Sequence, residues 1–199
     1  EDFGLRGLSV ITALTAQNQK RVTAIFPVPA RFVVKQIETL VEEYLIDVVK
    51  LGMLARGDIV LALARLFKKA KFKRIVIDPV LVSSSGYPLL DKKGIILLKE
   101  RLLHFATIVT PNLGEAAILA GMKRVSNLEE MKLAAIKIKK LGPMFVLVKG
   151  GHLKEVRSQE PAPAGSKQGS GVRRKNEKAV DILYDGREFK IFEAKRIAK

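Results

Sequence analysis

Four short, almost wholly apolar runs constrain this chain most: DVVKLGML (47–54), RIVID (74–78), ATIVT (106–110) and MFVLVK (144–149). They are rich in β-branched residues, and amphipathic segments of roughly 12 residues separate them. A strand that is apolar on both sides needs cover on both sides, and a helix between successive strands makes the sheet parallel. The expected fold is α/β, a three-layer α/β/α sandwich with a mostly parallel central sheet.

The remaining elements follow from periodicity and turn signals. GLSVITAL (7–14) and RVTAIFPV (21–28) read as two short strands. Val33, Ile37, Leu40, Val41 and Tyr44 fall on one helical face between Arg31 and Tyr44. Asp58 is placed to cap a helix whose inner face is Ile59, Leu63, Leu66 and Phe67. Residues 92–103 and 113–120 read as helical. Ser126-Asn127-Leu128-Glu129 has the form of a capping box, opening a helix to Lys140 that Gly142-Pro143 stops. VDILYD (180–185), an Asp-Gly turn and REFKIFEA (187–194) form a hairpin, an antiparallel edge to the sheet. Residues 154–178 carry almost no large apolar side chain and read as a flexible loop, either a tolerated insertion or a flap over a ligand.

With 199 residues, 48% of them apolar, the chain can bury a core as one domain over 1–199. It has no cysteine, which removes disulfides and thiolate metal sites, and its two histidines are too few for a typical zinc cluster. No apolar run is long enough for a membrane span. The opening EDFGLRG lacks the basic-then-apolar pattern of a signal peptide, so the cytoplasm is the expected compartment. The net charge of +16 raises nucleic acid as a partner, but the lysines lie singly on helix faces and there is no Trp for base stacking. Nucleic-acid binding is therefore not expected. The loop carries seven Lys and Arg against three Glu, so +12 of the charge belongs to the rest of the chain.

In a wound parallel sheet, ligands bind beyond the carboxyl ends of the strands. The strand ends here are chemically alike: Lys50, Gly52 and Met53; Asp78, Val82 and Ser83; Thr110, Asn112 and Glu115; Lys149, Gly150, Gly151 and His152. Each has a bland account. Asp78 before Pro79 ends a strand, Asn112 and Glu115 cap a helix, and Gly150-Gly151 makes a turn. Together they suit a magnesium ion held by Asp78 and Glu115 beside the Asn112 amide, with Lys149 meeting a phosphate chain and glycines giving a nucleotide room. That is the equipment of metal-assisted phosphoryl transfer. Gln17, just after the first strand, either reads the edge of a heteroaromatic ring or is a surface turn residue. His104 reads as a packed or partly exposed side chain; His152 stays open between structural and functional roles.

Taken in order, GLSVITALTAQN, VKLGML, IDPVLV, LLD, IVTPNLGEA, LGP, VLVKGGHL and VDILYDG resemble hydroxymethylpyrimidine/phosphomethylpyrimidine kinase of thiamine biosynthesis, a family of the ribokinase-like superfamily. The resemblance runs from about Gly4 to Ile197, interrupted by 154–178. It implies ATP and Mg²⁺ as cofactors and a small-molecule acceptor, 4-amino-5-hydroxymethyl-2-methylpyrimidine and then its monophosphate. It implies that Gln17 bonds the aminopyrimidine edge, that Met53 and Val82 line the ring pocket, and that Asp78 and Glu115 organise Mg²⁺. Asn112, Lys149, Gly150 and Gly151 would serve the nucleotide, and the protein would be a homodimer. A pyridoxal-type kinase and a non-catalytic pyrimidine-binding module are the competing readings.

This chain also departs from the family pattern. The family opens with a strand and a glycine-rich AGSD-type loop that would precede Glu1. It continues past the position of Ile197 into an NTHGTGC-type segment that supplies an anion hole and a candidate base. Either these 199 residues are part of a longer protein, which is the expectation, or the protein has lost catalysis; alone they should turn over no ATP, and the catalytic residue is unassigned. Ser83-Ser84-Ser85 stand where many members carry a lysine.

Overall fold

The computed structural model describes residues 4–70, 72–151 and 178–195. His152 and the loop from 154 to 177 lie outside the described residues. A two-stranded antiparallel sheet, β1 (Ala13–Gln17) and β2 (Val22–Pro27), precedes helix α1 (Ala30–Glu43). The main sheet has six strands in chain order: β3 (Val49–Leu51), β4 (Ile75–Ile77), β5 (Ile108–Val109), β6 (Phe145–Lys149), β7 (Lys178–Tyr184) and β8 (Phe189–Lys195). The first four pair in parallel and the last two are antiparallel, as the hairpin pattern predicts. The chain is thus an α/β fold with a mostly parallel sheet and an antiparallel C-terminal edge.

Helices α2 (Gly57–Lys69), α3 (Lys92–Leu97), α4 (Leu113–Ala120) and α5 (Leu128–Lys139) lie between the parallel strands. Their apolar faces meet Ile75, Ile77, Val109, Val146 and Val148 in one core, each of those strand residues at most 3% exposed. Burying a side chain of this size contributes roughly 1.5–3 kcal/mol. After α3 the chain runs through a π-helical turn (Leu98–Leu102) and a 3₁₀ turn (Leu103–Phe105), which together fill the helical stretch expected over 92–103.

Several boundaries move, each for a local reason. The expected strand over 7–14 begins only at Ala13. Upstream, Ile11 takes its main-chain bonds from a side chain: its N–H donates to Gln36 Oε1 and its carbonyl accepts from Gln36 Nε2, both at 3.0 Å. Asp58 does not cap α2; it sits in the first turn and pairs with Arg56. The box expected at Ser126 and Glu129 is shifted one residue. Asn127 caps α5 by accepting from Glu130 N–H, and Glu130 Oε2 accepts from the Ser126 hydroxyl and N–H, each at 2.7 Å. Lys178, assigned to the loop by composition, opens β7.

The LLD run has a structural use. Asp91 Oδ1 accepts from Gly94 N–H at 2.6 Å, capping α3, and from Gly57 N–H at 3.1 Å, at the start of α2. The two helix starts are close: a Cβ at Gly57 would stand 3.0 Å from Gly94 N and 3.2 Å from Leu97 Cδ1. The hairpin turn at Asp185-Gly186 is held by the Asp185 carboxylate, which accepts from Glu188 and Arg187 N–H groups.

Asp91→Ala should cost about 1–3 kcal/mol in urea unfolding, because two helix starts lose a partner. The Ser126 hydroxyl and then its N–H hold the Glu130 carboxyl below its ordinary 4.5. A depressed carboxyl favours the fold above that ordinary value, and the contribution disappears as pH falls through the lowered one. An NMR titration of Ser126→Ala should show the Glu130 carboxyl moving up towards its ordinary value.

Candidate active site

Each functional side chain is placed by the way its strand ends. At β4, Asp78 N–H still bonds Leu51 carbonyl at 2.9 Å, continuing the ladder one residue past the strand. Pro79 has no N–H to offer and stops it. Val80 then takes φ 44, a left-handed conformation that a β-branched residue rarely adopts and that costs on the order of 1–3 kcal/mol. Two anchors hold it there. Leu81 is buried in the core at 1% exposure, and its N–H donates to Glu115 Oε1 at 3.2 Å.

At β5, Thr110 N–H bonds Ile77 carbonyl, and Asn112 opens α4 with a full capping box. Asn112 Oδ1 accepts from Glu115 N–H and Glu115 Oε2 accepts from Asn112 N–H, both at 2.9 Å. Glu115 is 5% exposed. Its two oxygens thus serve two backbone N–H groups, one after β4 and one after β5, and a single carboxylate ties both strand exits together. The negative charge also lies at the N-terminus of α4, where the helix dipole favours it.

At β6, the last residue is Lys149. Its N–H bonds Pro111 carbonyl at 2.8 Å, and its Cα pairs with Asn112 on one side and Asp181 of β7 on the other. Its ammonium reaches over the end of β5 to Asp78 Oδ1 at 3.1 Å, with the two side chains 39% and 23% exposed. Gly150 N–H donates to Asp181 Oδ1 at 2.8 Å, and a Cβ at Gly151 would meet nothing within 4 Å. Asp181 escaped the sequence reading; the signal is a lone carboxylate in the apolar run VDILY.

So the fold gathers Asp78, Asn112, Glu115, Lys149 and Gly150 on one rim. The other sequence candidates are less tightly tied to it. Met53, with Gly52, lines a cavity of about 740 Å³ along β3, walled by Val33, Ile37, Leu63 and Phe67. That cavity does not include the ion pair. Thr12, also missed from sequence, fastens the β1–β2 hairpin to this place by donating its hydroxyl to Met53 carbonyl at 2.6 Å. Val82 is 38% exposed and bridges to Pro88. Gln17 ends β1, exposed, beside a bulge in the hairpin, and its side chain bonds no described residue.

The residues present fit a magnesium ion through Asp78. Asp78 Oδ2 has no partner among the described residues, and the carboxylate reaches solvent. No three acidic or histidine side chains among the described residues could enclose a metal. A solvent-reaching carboxylate oxygen of this kind suits a cation that keeps most of its water, as Mg²⁺ does. Glu115 has one hydrogen bond on each oxygen and a further lone pair on each for water.

The chain matches the family described as phosphomethylpyrimidine kinase over residues 1–199. It is 38% identical over 196 residues to the hydroxymethylpyrimidine/phosphomethylpyrimidine kinase of Aquifex aeolicus, covering 98% of this chain and 68% of that protein. Other curated relatives are matched over about a third to three fifths of their length. Among solved structures it is similar to the phosphomethylpyrimidine kinase of Clostridium difficile 630, with TM-score 0.76 and 38% identity, covering 96% of this chain and 73% of that one. It is also similar to an ADP complex of Bacillus subtilis pyridoxal kinase, with TM-score 0.73 and 30% identity, covering 94% and 61%.

Glu115→Ala should cost about 1–3 kcal/mol for each backbone N–H it strands. Glu115→Gln, which can still accept one of the two bonds, should cost distinctly less. Asp78→Asn, at a pair that solvent still reaches, should leave urea stability nearly unchanged. An alanine variant at position 115 as stable as the parent would show that the carboxylate does not hold the two strand exits.

Proposed function

The chain belongs to the phosphomethylpyrimidine kinase family, and from that premise we propose that its protein is an ATP-dependent kinase of thiamine biosynthesis. The acceptor is the 5-hydroxymethyl group of 4-amino-5-hydroxymethyl-2-methylpyrimidine, and then the phosphate of the monophosphate so formed. The observation that carries the reading is the Asp78–Lys149 pair laid over the end of β5, beside the capped start of α4. It sets a carboxylate for a cation and an ammonium for phosphate at one sheet rim.

In this reading the acceptor oxygen attacks the γ-phosphorus of ATP. The bond from that phosphorus to the β-phosphate oxygen breaks, and ADP leaves. The acceptor proton goes to a base that no described residue is assigned to supply. Lys149 holds phosphate oxygens as a point charge. Gly150 and Gly151 leave room for the nucleotide, with Asp181 fixing their turn, and Asn112 stands beside the phosphates. Mg²⁺, when bound at Asp78, neutralises charge on the phosphate chain. Glu115 keeps Asp78 and Asn112 in register through the backbone and can accept from the cation's water. Met53, Val82 and Gln17 are proposed for the pyrimidine. For Gln17 the β1–β2 hairpin would have to lie over the ring.

Residues 1–199 act as one domain in this reading, supported among the described residues by one core cluster from α1 to β7. A homodimer is supported by the apolar surface of the hairpin and α1, where Leu14, Phe26 and Phe32 are 59%, 68% and 57% exposed. The cytoplasm, which supplies ATP, is the compartment of this reading. Among the described residues no helix is long and apolar enough to cross a membrane.

A pyridoxal-type activity is the second reading, motivated by the pyridoxal kinase among the structural relatives. Full-length protein with ATP and Mg²⁺ should give a higher kcat/KM on the hydroxymethylpyrimidine than on pyridoxal. Asp78→Asn should lower kcat by roughly 10²-fold or more. Phosphorylation of pyridoxal alone would favour the second reading. Calorimetric binding of the pyrimidine with no product would favour a non-catalytic module.

A further inference from the structure

We propose that Lys149 is an internal counter-cation for Asp78, released only when a divalent cation and a phosphate chain bind together. The site would then take free metal poorly and metal–nucleotide well. This rests on the reading above, in which Asp78 carries the metal and Lys149 meets phosphate.

The geometry of the pair carries the inference. The Lys149 backbone is fixed from both sides, by Pro111 and Asn112 at β5 and by Asp181 at β7. Asp181 is its direct cross-strand partner, with Cβ atoms of such pairs about 4.5–5.5 Å apart. That nearer carboxylate has its Oδ1 occupied by Gly150 N–H. The ammonium instead spans two strand spacings, about 9–10 Å between β4 and β6, to reach Asp78. The stretched side chain ends on that charge, and with 39% of it exposed an incoming anion can reach the ammonium.

A divalent cation on Asp78 Oδ2 would stand a few ångströms from that ammonium and be repelled by it. An anion that draws the ammonium away removes the repulsion and gains a positive partner. Metal and phosphate therefore assist each other, and the coupling is reciprocal. Lys149 is the carrier of the coupling.

Titration of the full-length protein with Mn²⁺, followed by the electron paramagnetic resonance of the free ion, tests this with and without a non-hydrolysable ATP analogue. The parent should bind Mn²⁺ weakly alone and more tightly with the analogue. Lys149→Met should bind Mn²⁺ alone roughly tenfold more tightly than the parent. In the same variant, the strengthening by the analogue should shrink by about that factor. Lys149→Gln should behave as Lys149→Met does, and Lys149→Arg as the parent does. Unchanged or weaker Mn²⁺ binding in both Lys149→Met and Lys149→Gln, with binding still abolished by Asp78→Asn, would overturn the counter-cation while sparing the metal assignment. Mn²⁺ binding indifferent to Asp78→Asn would overturn the metal assignment and the inference with it.

Discussion

The carboxylate of Glu115 is the constraint on which the rim depends. It is buried, and it answers two main-chain donors that belong to different strand exits. Without it, only the packing of Leu81 would hold the left-handed backbone at Val80, and Asp78 directs its side chain from the same turn. A residue that sequence motifs present as a metal ligand is here first a clamp on backbone. The two roles are compatible, because holding Asp78 in place is what a cation site with few protein ligands needs.

The overall architecture was legible because the parallel strands are short, apolar and separated by helices with caps and glycine stops. IVI, IV and FVLVK leave little else to be. The capping box at Asn112 was legible for the same reason: its pattern is local, and local rules decide it. The rim residues could be listed from sequence, and the parallel register then carried four of them to one edge. Gly150 followed because it is the first residue after β6.

What sequence did not disclose depends on contacts distant along the chain. Nothing near Ile11 signals that Gln36 will supply its backbone bonds in place of a strand partner. Nothing near Gly57 signals that Asp91 will reach it. The box at Ser126 was misplaced by one residue because Ser, Asn and two glutamates are all plausible there, and only the helix direction decides among them. Asp181 and Thr12 are single polar residues in apolar runs. Such residues mark an unusual partner without naming it.

Strand β5 is two residues long, in the middle of the parallel part of the sheet. That brevity keeps Thr110 and Pro111 low enough for a lysine from one neighbour to cross to an aspartate from the other. Outer strands such as β7 and β8 can gain or lose residues at their hairpin with no effect on the rim. An inserted residue at the end of β5 would raise the floor into the path of that crossing and turn Asn112 to the opposite side. Drift in length should therefore be tolerated at the margins of this sheet and purged at its centre.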